Sequence, residues 1–296
     1  ELVANHGAEL LRLAQENGCN YFFEASVGGG IPIIRPINNC LTAERIVEVS
    51  GILNGTTNYI LTKMEQEGML FEEALGQAQA LGYAERNPEA DVEGYDACRK
   101  IAILTSLVAG KTVDFHKIHT EGITGIDPTD FAYAKKLDAT IKLLAVSRET
   151  EDGYQISVAP YLLKKENALA GVNDVFNAVA VCGNTLGDTM FYGRGASAVV
   201  ADVVECARHL QKTVGCLWEE GEAKVADFDS QEGRFFVRVS KKARADVEKV
   251  FGAVVPVVLD SALEEFAFVT ESMQEAEFEK CREQIFGFVK KIRIKD

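Results

Sequence analysis

The chain has 296 residues, 47% of them hydrophobic, enough for one large or two modest domains with a full core. Acidic residues outnumber basic ones by 45 to 31, and the formal charge of −14 argues against binding nucleic acid or an anionic membrane surface. No apolar run approaches the roughly 18 residues of a membrane-spanning helix, and Glu1-Leu2-Val3-Ala4-Asn5-His6 lacks the apolar core of a secretory signal.

Residues 7–17 read as an amphipathic helix with Leu10, Leu11 and Leu13 on one side and Gly18 as its stop. Residues 21–26 read as a short apolar strand before the Gly28-Gly29-Gly30 turn, and 31–42 as a helix-like stretch. A strand over 45–53 places Ile46, Val49 and Ile52 in the core, and Asn54-Gly55-Thr56 breaks it. Helices are expected over 56–67 and 71–81, the second stopped by Gly82. Between 120 and 146 come a strand, an Asp127-Pro128 turn and a lysine-bearing segment that fits helix or strand. Strands at 155–163 and 177–182 precede a helix at 197–212.

A break in pattern at Gly215–Gly221 suggests three parts: a domain over 1–212, a linker over 213–229 and a second domain over 230–296. The last part reads strand 234–240, helix 243–251, strands 254–260 and 265–269, helix 274–285 and strand 288–294. That βαββαβ order is the ferredoxin-like plan. The seven cysteines (19, 40, 98, 182, 206, 216 and 281) are scattered, without Cys-x-x-Cys or zinc spacing. Reduced thiols in a cytoplasmic protein are the expectation.

The most informative stretch is Gly82-Tyr83-Ala84-Glu85-Arg86-Asn87-Pro88-Glu89-Ala90-Asp91, running on to Asp96 and Lys100. It opens as a loop and closes as a helix start before the apolar run 101–109. Asp96 and Lys100, four apart, share one helix face. Such a pair is either an ordinary exposed ion pair or a carboxylate holding a lysine ready for proton transfer.

The pattern Gly-Tyr-Ala-Glu-x-x-Pro-x-x-Asp-x-x-Gly-x-Asp-x-x-x-Lys resembles the substrate segment of homoserine dehydrogenases. Phe23-Glu24-Ala25-Ser26-Val27-Gly28-Gly29-Gly30-Ile31-Pro32 and Gly51-Ile52-Leu53-Asn54-Gly55-Thr56-Thr57-Asn58-Tyr59-Ile60 resemble the same family in the same order. The resemblance implies an α/β fold with a mixed sheet covered by helices, followed by a ferredoxin-like regulatory domain of the ACT type. It implies NAD(P)-dependent interconversion of L-homoserine and L-aspartate 4-semialdehyde, on the route to threonine and methionine, by a homodimer.

By the same resemblance, Lys100 and Asp96 are the catalytic pair. Glu85 and Asp91 bind the substrate ammonium, and Tyr83 with Asn54, Gly55 and Thr56 shapes the pocket. Glu24 and the carbonyls of Val27, Gly29 and Ile31 would ligate a monovalent cation, Na+ or K+. The turn read by itself is a backbone device in which glycine permits positive φ. Gly193 and Gly195 lie in a family loop near the cofactor. Their segment, Gly193-Arg194-Gly195-Ala196-Ser197-Ala198, fits a Gly-x-Gly-x-x-Ala fingerprint but follows a stretch too short and polar to be a first Rossmann strand.

Two departures accompany the likeness. The family's N-terminal Rossmann domain, ending in a Thr-Ala-Asn-Lys turn with a second catalytic lysine, is expected outside these residues. The family's Pro-Gly in the first turn of the ACT-type unit is replaced by Lys241-Lys242-Ala243-Arg244, which questions amino-acid binding there. Two other readings stand beside this one. A non-catalytic dimerisation and amino-acid-sensing fragment would lack a Gly-x-Gly-x-x-Gly unit upstream, and an aspartate-semialdehyde dehydrogenase would need a nucleophilic cysteine.

Overall fold

The computed structural model describes residues 1–194, 197–259 and 264–295. In chain order the elements are α1 (Leu2–Glu16), β1 (Ile46–Ile52), α2 (Gly55–Glu67), α3 (Phe71–Ala80), α4 (Glu89–Val92), α5 (Tyr95–Ala109), β2 (Lys111–Thr112), β3 (His119–Thr120) and α6 (Pro128–Lys136). Then follow β4 (Ala139–Thr150), β5 (Gly153–Lys164), β6 (Asn177–Gly183), β7 (Gly187–Gly193), α7 (Ala198–Arg208), β8 (Glu219–Glu222), β9 (Glu232–Ser240), α8 (Arg244–Phe251), β10 (Glu265–Val269), β11 (Met273–Gln274), α9 (Glu275–Arg282) and β12 (Phe288–Lys295).

One mixed sheet runs β10-β9-β12-β5-β4-β1-β6-β7. Its neighbours are antiparallel except β12 and β5, which run parallel with Arg293 opposite Tyr161. The long β4–β5 hairpin is its spine, since residues 139–147 of β4 are buried on both faces. One face carries the main core, into which Val49, Leu53, Ile60, Ile101, Leu104, Ile141 and Val158 point. Helices α2, α5 and α6 cover that side. The other face gathers Ile52, Leu144, Val146 and Tyr161 under the short turn Ala168–Gly171.

Helix α5 is buried almost all round, from Ile101 to Leu107. Gly110, at φ +68°, ends it in the left-handed conformation that glycine adopts without strain. Helix α6 begins with Asp127 accepting from the Thr129 and Asp130 amides while Asp130 returns a bond to the Asp127 amide, with Pro128 at the first helical position. The Asp127-Pro128 pair is therefore a helix start. The ambiguous lysine-bearing segment is both things: helix to Lys136, strand from Ala139.

Four further expectations are overturned or refined. Residues 21–26 form no strand: Phe23 buries itself against Trp218, with ring centroids 6.3 Å apart, and Glu24–Ser26 is a single tight helical turn. Residues 36–40 coil as a wide helical turn in which the Leu41 amide reaches the Pro36 carbonyl. Over 254–259 only Val257 pairs, exchanging two backbone bonds with Ala267. Helix α7 stops at Arg208, short of residue 212.

Segment 213–229 is fastened to the body. Trp218 is 3% exposed with its Nε1 on Thr112 Oγ1 at 3.0 Å, and β8 pairs with β2. Among the described residues no helix is long and apolar enough to cross a membrane, and all seven cysteines are free.

Candidate active site

The site is assembled where β1 ends and α5 begins. Asn54 caps α2: its Oδ1 accepts from the Thr57 amide at 2.9 Å, satisfying a donor the helix cannot. Its Nδ2 then faces outward and donates to Asp91 Oδ1 at 2.6 Å and to Asp96 Oδ2 at 2.8 Å. Lys100 donates to the same Asp96 oxygen at 2.6 Å and to the Leu53 carbonyl at 2.9 Å. Lys100 and Asp96 are 22% and 31% exposed, enclosed on their protein side and open on the other. Six residues of four segments thus converge: Leu53, Asn54, Thr57, Asp91, Asp96 and Lys100.

Backbone shape makes this possible at Gly94, which enters α5 at φ +82°. A Cβ there would also stand 3.1 Å from the Thr120 methyl, so the tight link between the Asp91 turn and the Asp96 helix needs glycine.

Burial is the main force on Asp91. It holds the carboxyl above the ordinary range, against the Asn54 hydrogen bond and with added repulsion from Asp96 and Glu85. The site therefore holds two acids in unlike settings, one paired with a lysine and one with a neutral amide.

The other expected residues take different places. Glu85 is exposed at the rim, its carbonyl held by Gln79 Nε2 at 3.1 Å. Tyr83 is 42% exposed and meets Tyr59 edge-on at 5.1 Å, while Thr56 Oγ1 donates to the Tyr83 carbonyl at 2.6 Å. Gly55 starts α2 where a Cβ would come within 2.8 Å of the Val175 carbonyl. The Leu53 carbonyl and Tyr59 went unread in the sequence. A backbone acceptor leaves no residue signal, although Tyr59 sits in the quoted Gly51–Ile60 motif.

Cys98 shares this helix but is buried, its thiol on the Phe115 carbonyl at 3.5 Å and pushed up by burial. It is no activated nucleophile.

Glu24 is placed differently from a cation ligand. Its Oε1 accepts from the Ile33 and Ile34 amides at 2.6 and 2.8 Å, and its Oε2 from the Arg35 amide and Nε, both at 3.0 Å. Four donors fill the lone-pair positions of a carboxylate. As arranged, the Glu24 carboxylate is spent on these four donors and is not held open toward Na+ or K+. Among the described residues no group of three or more His, Cys, Asp or Glu side chains is placed to hold a metal.

For a dinucleotide, Gly193 ends β7, an antiparallel edge strand, and Gly195 lies outside the described residues. An edge strand of that kind does not open the parallel strand–helix–strand unit that cradles pyrophosphate. What does stand at the strand end is aromatic: Tyr192 stacks on Phe176 at 5.0 Å, and the Arg194 guanidinium lies 5.3 Å over the same ring.

Comparison with known proteins bears on the same residues. A family model described as homoserine dehydrogenase matches residues 32–204. A homoserine dehydrogenase of Bacillus subtilis (strain 168) is 38% identical, with 94% of this chain and 69% of that protein covered. The chain spans about half the length of several further curated homoserine dehydrogenases. Its fold is similar to the crystal structure of a homoserine dehydrogenase from Thiobacillus denitrificans, with a TM-score of 0.91 at 32% identity, covering 100% of this chain and 75% of that one. A hyperthermophilic archaeal homoserine dehydrogenase in complex with NADPH matches 70% of this chain and 61% of its own, with a TM-score of 0.60 at 31% identity.

Proposed function

Because the chain belongs to the homoserine dehydrogenase family, we propose that it supplies the substrate-binding and proton-transferring part of an enzyme that interconverts L-homoserine and L-aspartate 4-semialdehyde. The observation that carries this reading is Lys100, held between Asp96 and the Leu53 carbonyl with its ammonium at the open side of the cluster. NAD(P), when bound, supplies or accepts the hydride.

In the reducing direction Lys100 Nζ gives a proton to the aldehyde oxygen as charge develops there, and the resulting alcohol O–H is the product hydroxyl. In the oxidising direction the same nitrogen takes that proton back. Asp96 aims the lysine, and its charge steadies the ammonium. The exposed Glu85 carboxylate binds the substrate ammonium. Asp91 assists from the cluster's edge, and Tyr83 walls the pocket. Asn54, whose amide is spent on two acids and a helix end, sets their spacing.

The 230–296 segment is proposed as an ACT-type regulatory unit on a route to threonine and methionine. Its strand order, Val257-β10-β9-β12 with α8 and α9 between, supports the ferredoxin-like plan. Dimerisation across the barely covered sheet face would bury a groove of about 680 Å³ lined by Glu48, Ser50, Arg148 and Met190. The seven free cysteines suit a cytoplasmic setting. The test is NAD(P)+-dependent oxidation of homoserine by the full-length protein. Absence of turnover with either cofactor would overturn the proposal.

A further inference from the structure

Lys142 sits in the middle of β4, 0% exposed. Its ammonium donates to the Val172 carbonyl at 2.7 Å, to Asn173 Oδ1 at 2.9 Å and to Asn58 Oδ1 at 3.3 Å. All three acceptors are neutral. Burying an ammonium on neutral oxygens costs stability that an apolar side chain of the same volume would not. Burial accordingly pushes Lys142 down to about 8, with the more distant Glu65 and Asp174 acting the other way. What the lysine offers in return is three directed N–H bonds, two to one loop and the third to Asn58 of α2.

That loop, residues 172–176, is also gripped from α2. Asn58 Nδ2 donates to the Val172 and Phe176 carbonyls at 3.2 and 3.1 Å, and Thr62 Oγ1 accepts from the Asp174 amide at 3.0 Å. The loop meets the site's turn on one side and the end of β7 on the other. Its Val175 carbonyl abuts Gly55, so closely that a Cβ would stand 2.8 Å away. Its Phe176 ring carries Tyr192 and Arg194 at the end of β7.

We propose that Lys142, together with Asn58, is a positioning residue: it fixes the 172–176 loop as a common brace for the Asn54-Gly55-Thr56 turn and for the Tyr192–Arg194 strand end. The proposal rests on the homoserine dehydrogenase reading for its kinetic effect, but not for the brace itself. A lysine that merely fills the core would be replaceable by methionine without loss of function.

The test is Lys142→Met in the full-length enzyme, with Asn58→Ala measured as well so that a misfolded first variant does not end the matter. The expected result is a normal or higher melting temperature for Lys142→Met with kcat/KM lowered tenfold or more, on the order of the loss that follows misplacement of a substrate by an ångström. The KM values for homoserine and for the nicotinamide cofactor are expected to rise together. Hydrogen–deuterium exchange, which needs no turnover, should quicken at residues 54–57, 172–176 and 190–194 and not in β9 or β12. Kinetic constants within twofold of wild type in the folded variants, or exchange unchanged in those segments, would overturn the proposal. An inactive wild type with the exchange pattern present would sink the functional reading alone.

Discussion

Asn54 donates through one amide nitrogen to both Asp91 and Asp96, at 2.6 and 2.8 Å, so a single neutral group spaces the two acids beside Lys100. Only Asp96 has the lysine, and the two acids therefore meet different chemical demands. Replacing Lys100 by Ala is expected to lower kcat by roughly two to four orders of magnitude, the range for a positioned acid–base group. Lys100→Arg should do little better, because a guanidinium stays protonated. Asp96→Asn should lose less. Glu85→Gln should differ in kind, raising KM for homoserine while kcat holds. Steady-state rates in both directions decide this. Near-normal kcat in Lys100→Ala would reduce the pair to a structural ion bridge.

Asp91 gives a prediction about stability and pH. Its carboxyl titrates above the unfolded value, chiefly because it is buried. Between the two values the folded chain holds the proton more tightly, so stability falls as pH rises through that window. Asp91→Asn removes the penalty. The variant should melt higher than wild type above the window and draw level below it, as thermal unfolding across the acid range would reveal.

Glu121 has the opposite sign. Burial would raise it, but the His119 hydrogen bond and Arg293 outweigh this and hold it at about 2. Its contribution is fully present above the ordinary carboxylate value of 4.5 and is lost as pH falls from there through about 2. Glu121→Gln should therefore destabilise at neutral pH, with the difference shrinking in strong acid. Since the Ile123 amide holds the Val92 carbonyl beside Asp91 at 2.8 Å, kcat/KM should fall too. Equal melting temperatures at neutral pH would contradict the assignment.

Arg238 joins β9 to α6. It is 5% exposed and binds Asp130, itself 0% exposed, at 2.5 Å, with Asp127 and Glu265 also in reach. Arg238→Met leaves Asp127 and Asp130 with Lys290 and takes from Glu265 its bond to Arg238. A loss of about 3 kcal/mol or more is expected from denaturant midpoints. A loss below about 1 kcal/mol, the scale of exposed pairs, would show the cluster to be solvated.

The local signals in the chain were strong where one residue type serves one local need. Asn54 before α2, Gly82 after α3 and Gly110 after α5 mark their boundaries, and the Asp96–Lys100 spacing places both on one face. Other features depended on distant partners. Tyr21-Phe22-Phe23 has the composition of a strand, yet its apolar surface is satisfied by Trp218, nearly two hundred residues on. Lys142, Arg238 and Arg293 occupy strand positions where a cation ordinarily marks the solvent side. They are buried because their acceptors come from other elements. Periodicity reports which face a residue shares, not what waits across it.

The parallel pairing of β12 with β5 has a consequence for the order of folding. On the edge of β5 away from β4, β3 covers Ser157 and Val158, while Tyr161 to Leu163 are paired with residues 293–295. During synthesis that half of the edge must wait until everything from β6 to α9 has left the ribosome. Until then a run of unpaired amides beside Leu162 and Leu163 is open to pairing with another nascent chain. Contacts of such long sequence separation are also slow to form. Aggregation during expression should therefore respond to changes in β12 more than to equal changes in β7, which ends the sheet at its other side.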